Sequence, residues 1–186
     1  MNQNNIPRFN EKKAVAVASM LIKLNGGKCD KYWLNKCMYY VERQSLVLSG
    51  QPVFFDKLYS APYGPIVSSV NDGIDSSSYP FDTLWSKHLS LKGNEVILKE
   101  EADNSVLSPF EDQIIEDTYK KFKNYGFTKL NKFFHDLPEH KETNSREDIS
   151  YEEILTHEGV GQENISEVMR ELSYLSFFEN QLSAGS

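Results

Sequence analysis

The stretch Leu58–Ile74, LYSAPYGPIVSSVNDGI, decides how the chain reads. Pro62 and Pro65 each hold φ near −65° and lack a backbone donor, so no regular ladder or helix interior runs through them. Gly64 between them reaches backbone conformations closed to other residues. Pro65 suits the first position of a helix. The spacing therefore predicts a rigid strand-to-helix corner at Tyr63-Gly64-Pro65, with Ile66, Val67 and Val70 facing inward. Upstream, VFFDKLYSA (Val53–Ala61) is rich in β-favouring and aromatic residues and reads as the strand entering the corner. Downstream, Asp72–Ser78 reads as a loop.

Helices flank this corner. EKKAVAVASMLIKL (Glu11–Leu24) is apolar almost all round at its centre, the pattern of a buried helix, and Asn25-Gly26-Gly27 stops it. Asp30 is placed to cap a second helix, in which Trp33, Leu34, Cys37, Met38 and Val41 form one apolar stripe. FDTLWSKHL reads as a short helix. LSLKGNEVILKE predicts a hairpin with Gly93-Asn94 at its tip. Ser108 and Glu111 form a capping box with Pro109 at the first helical position, opening a helix on Phe110, Ile114, Ile115, Tyr119 and Phe122. Thr128 is placed to cap KLNKFFHDL, which Pro138 ends, and HKETNSRED reads as a polar loop. Ser150 and Glu153 repeat the capping-box pattern. The last stretch, from Glu163, is an amphipathic helix on Ile165, Val168, Met169, Leu172, Leu175 and Phe178. The fold class is mainly α (α+β): a helical domain with a small antiparallel β-sheet or hairpin. Residues 1–10 are polar and expected to be flexible.

The 186 residues carry a net charge of −7, with no basic face of the kind that displaces counterions from phosphates, so direct nucleic-acid binding is not expected. The N-terminus lacks an apolar leader and no apolar run reaches the length of a membrane helix, so a cytoplasmic protein without membrane contact is expected. Cys29 and Cys37 read as free thiols rather than a disulfide framework. No phosphate loop, dinucleotide fingerprint or nucleophile elbow occurs. His135 and His140 stand five residues apart with Pro138 between them, the wrong spacing for a zinc-binding helix, and the paired carboxylates lie in hydrophilic stretches. Neither metal nor cofactor is expected, and binding is favoured over catalysis. An enzyme using His135 and Asp136 is an alternative.

WLNKCMYYVERQSLVLSGQPVFFDKLYSAPYGPIVSSVNDGI resembles the Panacea (SocA-like) domain through Leu34, Lys36, Met38, Tyr39 and Tyr40, then Gly50 and Pro52, Asp56, and Tyr63-Gly64-Pro65. LSPFEDQIIEDTYKKFKNYGFTKLNKFFHDLPEHKE resembles its second signature, a helix ending in His135-Asp136 and followed by Pro138, with His140 where the family has Trp. The resemblance implies a Panacea domain over residues 11–157 and a C-terminal helical extension over 158–186. It implies an antitoxin, often carried by prophages, that neutralises a cognate toxin by direct protein contact. A proteolytic adaptor delivering its client to ClpXP is the alternative. No catalytic activity is implied. Asp56, Gly64, Pro65, His135 and Asp136 would then be structural motif residues. Tyr39, Tyr40, Arg43, Tyr59 and Tyr63 are of the types interfaces favour and cluster near the corner, so they are the candidate partner contacts, core packing being the other reading.

Overall fold

The computed structural model describes residues 6–77 and 82–184. Eight α-helices and two three-stranded antiparallel sheets make up the described fold, in keeping with the mainly helical α+β class. In chain order they are α1 (Glu11–Leu24), β1 (Lys28–Asp30), α2 (Lys31–Ser49), β2 (Leu58–Ser60), β3 (Ile66–Val67), α3 (Ser68–Ser76), α4 (Leu84–His88), β4 (Leu89–Lys92), β5 (Glu95–Leu98), α5 (Pro109–Phe122), α6 (Phe127–His135), β6 (Glu147–Ile149), α7 (Tyr151–His157) and α8 (Gln162–Ala184).

α1 is the centre of the core, with Ala14 to Ala18, Leu21 and Ile22 all buried. α2 lies beside it and also packs against α5, α6 and α7. Asp30 caps α2 by accepting from the Tyr32 and Trp33 amides at 2.8 and 3.2 Å, and Gly50 ends it at φ 76°. Both capping boxes, Ser108 with Glu111 and Ser150 with Glu153, form. The β4–β5 hairpin turns at Gly93, and β1 adds to β5 with Cys29 opposite Val96. The second sheet has the order β3-β2-β6, with Leu58 between Val67 and Ile149.

Several expectations are corrected. Val53–Lys57 is not strand: Phe55 sits at φ 56°, and the amides of Val53, Phe54 and Asp56 all point at the buried Glu42 carboxylate, 2.9, 3.0 and 2.9 Å away. A carboxylate supplied from α2 replaces the ladder partner that β-propensity alone cannot provide. Pro65 does not open a helix. It precedes β3, so Tyr63-Gly64-Pro65 is the tip of a β2–β3 hairpin, closed by the Gly64 amide on the Ala61 carbonyl at 2.9 Å. The helix begins at Ser68, and Asp72–Ser76, read as loop, lies within it. Its N-terminus is capped from outside by Asp56, whose carboxylate accepts from the Ser69 and Val70 amides, each at 2.9 Å. Gly126, not Thr128, is the N-cap residue of α6. Two short strands, β1 and β6, arise in stretches read as turn or loop.

Residues 6–10 make contacts with the rest of the fold; residues 1–5 of the N-terminal stretch lie outside the described residues. The Asn10 amide donates to the Phe54 carbonyl at 2.8 Å, Phe9 meets the Phe54 ring edge-on, and the Arg8 amide donates to Glu179 on α8. The core is continuous from Ala14 to Leu172, so α8 contributes to it through Ile165 and Leu172.

Candidate functional site

The Tyr63-Gly64-Pro65 tip is built on α2 and α6. At φ 86°, Gly64 takes a conformation that favours glycine, and a Cβ there would stand 3.2 Å from Lys36 Nζ and 3.3 Å from both Phe134 Cβ and His135 Cδ2. Lys36 Nζ donates to the Pro65 carbonyl at 2.6 Å and lies over the Tyr32 and Phe134 rings, 5.0 and 5.7 Å from their centroids. Its side chain is buried, with no carboxylate in salt-bridge contact among the described residues, and burial pulls its pKa down to about 7. The Tyr32 hydroxyl donates to the Tyr63 carbonyl at 3.0 Å and accepts from Asn131 at 3.2 Å. Tyr32 also stacks at a tilt on Phe127, 4.9 Å between centroids. The tip is thus held by side chains at both ends, while Tyr63 and Phe127 remain 66% and 59% exposed.

Beneath the tip the two histidines meet, with ring centroids 4.4 Å apart. His140 Nδ1 shares a hydrogen bond with Ser60 Oγ at 2.8 Å, and burial, followed by the nearby His135 and Lys36, lowers the His140 pKa. Asp136 points elsewhere, pairing with Lys132 at 2.8 Å on the surface of α6. His135 and Asp136 are therefore not arranged as a catalytic pair. Among the described residues no group of three or more His, Cys, Asp or Glu is placed to hold a metal ion. Cys29 and Cys37 are buried free thiols, and burial pushes Cys29 up to about 12. Thiols so protonated are poor nucleophiles.

The candidate partner residues divide by burial. Tyr39 has no exposed surface and Arg43 almost none, so neither presents itself to a partner in this conformation. Their place is a buried network. Glu139 Oε1 accepts from the Tyr39 hydroxyl at 2.9 Å and from Arg43 Nε at 2.6 Å, and Arg43 Nη2 reaches Glu158 at 2.6 Å. Burial opposes the charge on Arg43, but the two carboxylates outweigh it and raise its pKa; burial and Glu139 raise that of Tyr39. Tyr40 is half-buried among Phe122, Phe133 and Phe134. Tyr59 is half-buried on the central strand of its sheet. Only Tyr63 of the five stands well out. Phe127 was missed, because a Phe at the start of a helical stripe is indistinguishable in sequence from a core residue. Glu139 was missed as a core acid because its partners lie about a hundred residues away in the chain.

A second feature is a cleft of about 920 Å³ between the N-terminal segment, the β2–β6 edge and α8, with Phe55, Asp56, Tyr151 and Met169 in its walls. Asp56 is committed there to capping α3, and burial, the largest influence, raises its pKa.

No curated protein and no solved structure matches the chain significantly. A family model does: the one described as Antitoxin SocA-like, Panacea domain, matches residues 34–141. That segment runs from α2 through the Tyr63-Gly64-Pro65 tip to the His135–His140 contact, the set of parts that build the site, and covers more than half of the chain. The protein therefore belongs to the Antitoxin SocA-like, Panacea domain family.

Proposed function

We propose that this protein is an antitoxin that neutralises a cognate toxin by binding it directly. Family membership supports the class. The observation that carries the binding reading is the two exposed aromatics Tyr63 and Phe127 around Tyr32, whose hydroxyl, held by Asn131, donates to the Tyr63 backbone carbonyl and whose ring packs on Phe127. Aromatic side chains dominate interface energetics, and a backbone already held in place has less freedom to lose on association. The net charge of −7 favours encounter with a basic partner surface. Tyr39 and Arg43 serve this reading as framework, Tyr63 as contact, and Tyr40 and Tyr59 as partial contacts at most.

The test uses the protein encoded beside this chain in its native locus. That protein is expressed alone and then together with this one, with growth and affinity capture followed in the same cells. Toxicity relieved by co-expression, with a stable complex that Tyr63→Ala weakens, is the expected result. Relief that disappears in cells lacking ClpXP would replace occlusion by the adaptor reading. Absence of both toxicity and complex would remove the antitoxin reading for this chain. No helix among the described residues is long and apolar enough to cross a membrane.

A further inference from the structure

α8 has two faces of different character. Ile165, Leu172 and Ser176 are buried, and Val168 packs within 3.0 Å of the position a Gly50 Cβ would take. On the other side, Glu163, Glu167, Glu171, Tyr174 and Phe178 recur at three- and four-residue steps and share one outward stripe. All five are exposed. Tyr174 is 58% and Phe178 61% exposed, so Phe178 does not share the buried face of Ile165 and Leu172 as its spacing suggests; beside the stripe Phe177 is 56% exposed, its ring packed edge to face on that of Phe178 at 5.8 Å. The N-terminal half of the stripe is acidic and the C-terminal half aromatic. The helix holds four glutamates against the single cation Arg170, which pairs at 3.4 Å with Glu167. Neighbouring exposed aromatics of this size are uncommon on a surface with no partner.

We infer that the outward stripe of α8 docks on the toxin, in an apolar groove with lysine or arginine at one end of its rim. The inference rests on the antitoxin reading and adds a second contact surface to it. From Glu163 to Phe178 the stripe spans about 22 Å, which sets the length of the groove. The charge pattern selects a different protein over a second copy of this one. Parallel pairing of two α8 helices sets Glu171 against Glu171. Antiparallel pairing along the whole stripe presses Glu163 and Glu167 of each copy onto Phe178 and Tyr174 of the other, taking carboxylates out of water, while the one cation of the helix, Arg170, falls at the middle of the stripe opposite Glu171. A basic rim receives the carboxylates and leaves the rings to the apolar floor. The mode is that of a helix laid in a groove, read through anchors three and four residues apart.

The experiment compares the wild-type chain with Tyr174→Ser/Phe178→Ser and with Glu167→Lys/Glu171→Lys. Each is titrated against the purified product of the adjacent gene at two salt concentrations, with the sedimentation mass of each chain measured alone. These side chains are exposed, so the thermal transition of every variant should match the wild type and certify the fold. The expected result is a loss of at least tenfold in affinity for the aromatic pair. The charge-reversed pair should associate more slowly and lose its salt dependence. Wild-type binding that both double variants retain overturns the inference and leaves the antitoxin reading standing. Absence of binding by the wild type overturns both. A wild-type dimer that the aromatic variant turns into a monomer overturns it in favour of self-association.

Discussion

Lys36 carries a buried amine that donates to the Pro65 carbonyl. Burial lowers its pKa from 10.5 to about 7. Between those values the unfolded chain binds a proton that the folded chain has released, so this group's contribution to stability rises as pH rises from 7 toward 10.5. Lys36→Met removes that dependence and keeps the bulk of the side chain. Urea unfolding of both proteins across this range should show the wild type gaining on Lys36→Met by about 2 kcal/mol between pH 7 and 9. A constant difference would mean that the ammonium stays charged beneath the tip. The same comparison cancels the opposite trend from Glu42, whose pKa burial pushes up to about 8 against the pull of three backbone amides.

Elements in this protein are joined by side chains that cap or clamp across long sequence separations. Glu139, in the turn after α6, holds Arg43 and Tyr39 on α2, and Glu158 at the end of α7 takes the other side of the Arg43 guanidinium. Removing one partner of a buried pair strands the other charge. Glu139→Gln should therefore cost about 3 kcal/mol in denaturant unfolding. Glu158→Gln, at a carboxylate 36% exposed, should cost about 1 kcal/mol or less. An equal cost for the two would relocate the clamp to its solvent side. α3 and α4 meet where Gly73 lies flat against Trp85: a Cβ at that glycine would stand 2.3 Å from the indole. Alanine usually improves a helix by about 1 kcal/mol over glycine. Here the sign should reverse, with Gly73→Ala lowering stability by about 1–3 kcal/mol through overpacking, read as a drop in the thermal midpoint.

At the level of the whole molecule, one core runs through nearly every element. α1 lies before the family match at residues 34–141, yet eight of its 14 residues are buried. α8 lies after the match and closes the other side with Ile165 and Leu172. Ending the chain after Gly161 removes both, at about 1.5–3 kcal/mol for each buried aliphatic side chain. Ending it after Ser173 keeps both and removes the exposed aromatic half. Circular dichroism melts should show a large loss for the first truncation and less than half of it for the second. A small loss for both would make α8 a separate appendage, as the division at residue 158 supposes.

Features carried by short-range chemistry were legible in the chain. Asp30, Ser108 and Ser150 announce helix starts because each cap is formed with residues two or three positions away. The Gly93 hairpin and the apolar faces of α1, α2 and α5 follow from period and turn chemistry in the same way, except that Phe110, in the first turn of α5, is exposed rather than on the buried face. The family resemblance was legible too, since it rests on ordered motifs. Tertiary structure alone decided the rest. Glu42 holds Val53–Asp56 out of a strand, and Asp56 caps a helix twelve residues onward that Pro65 alone would have begun too early. β1 and β6 exist because β5 and β2 offer them a ladder. Tyr39 and Arg43 look like interface residues in sequence, and Glu139 turns them into core. The physical reason is common to all these cases: a polar group's state depends on which partner reaches it, and that partner is brought near only when the chain is folded.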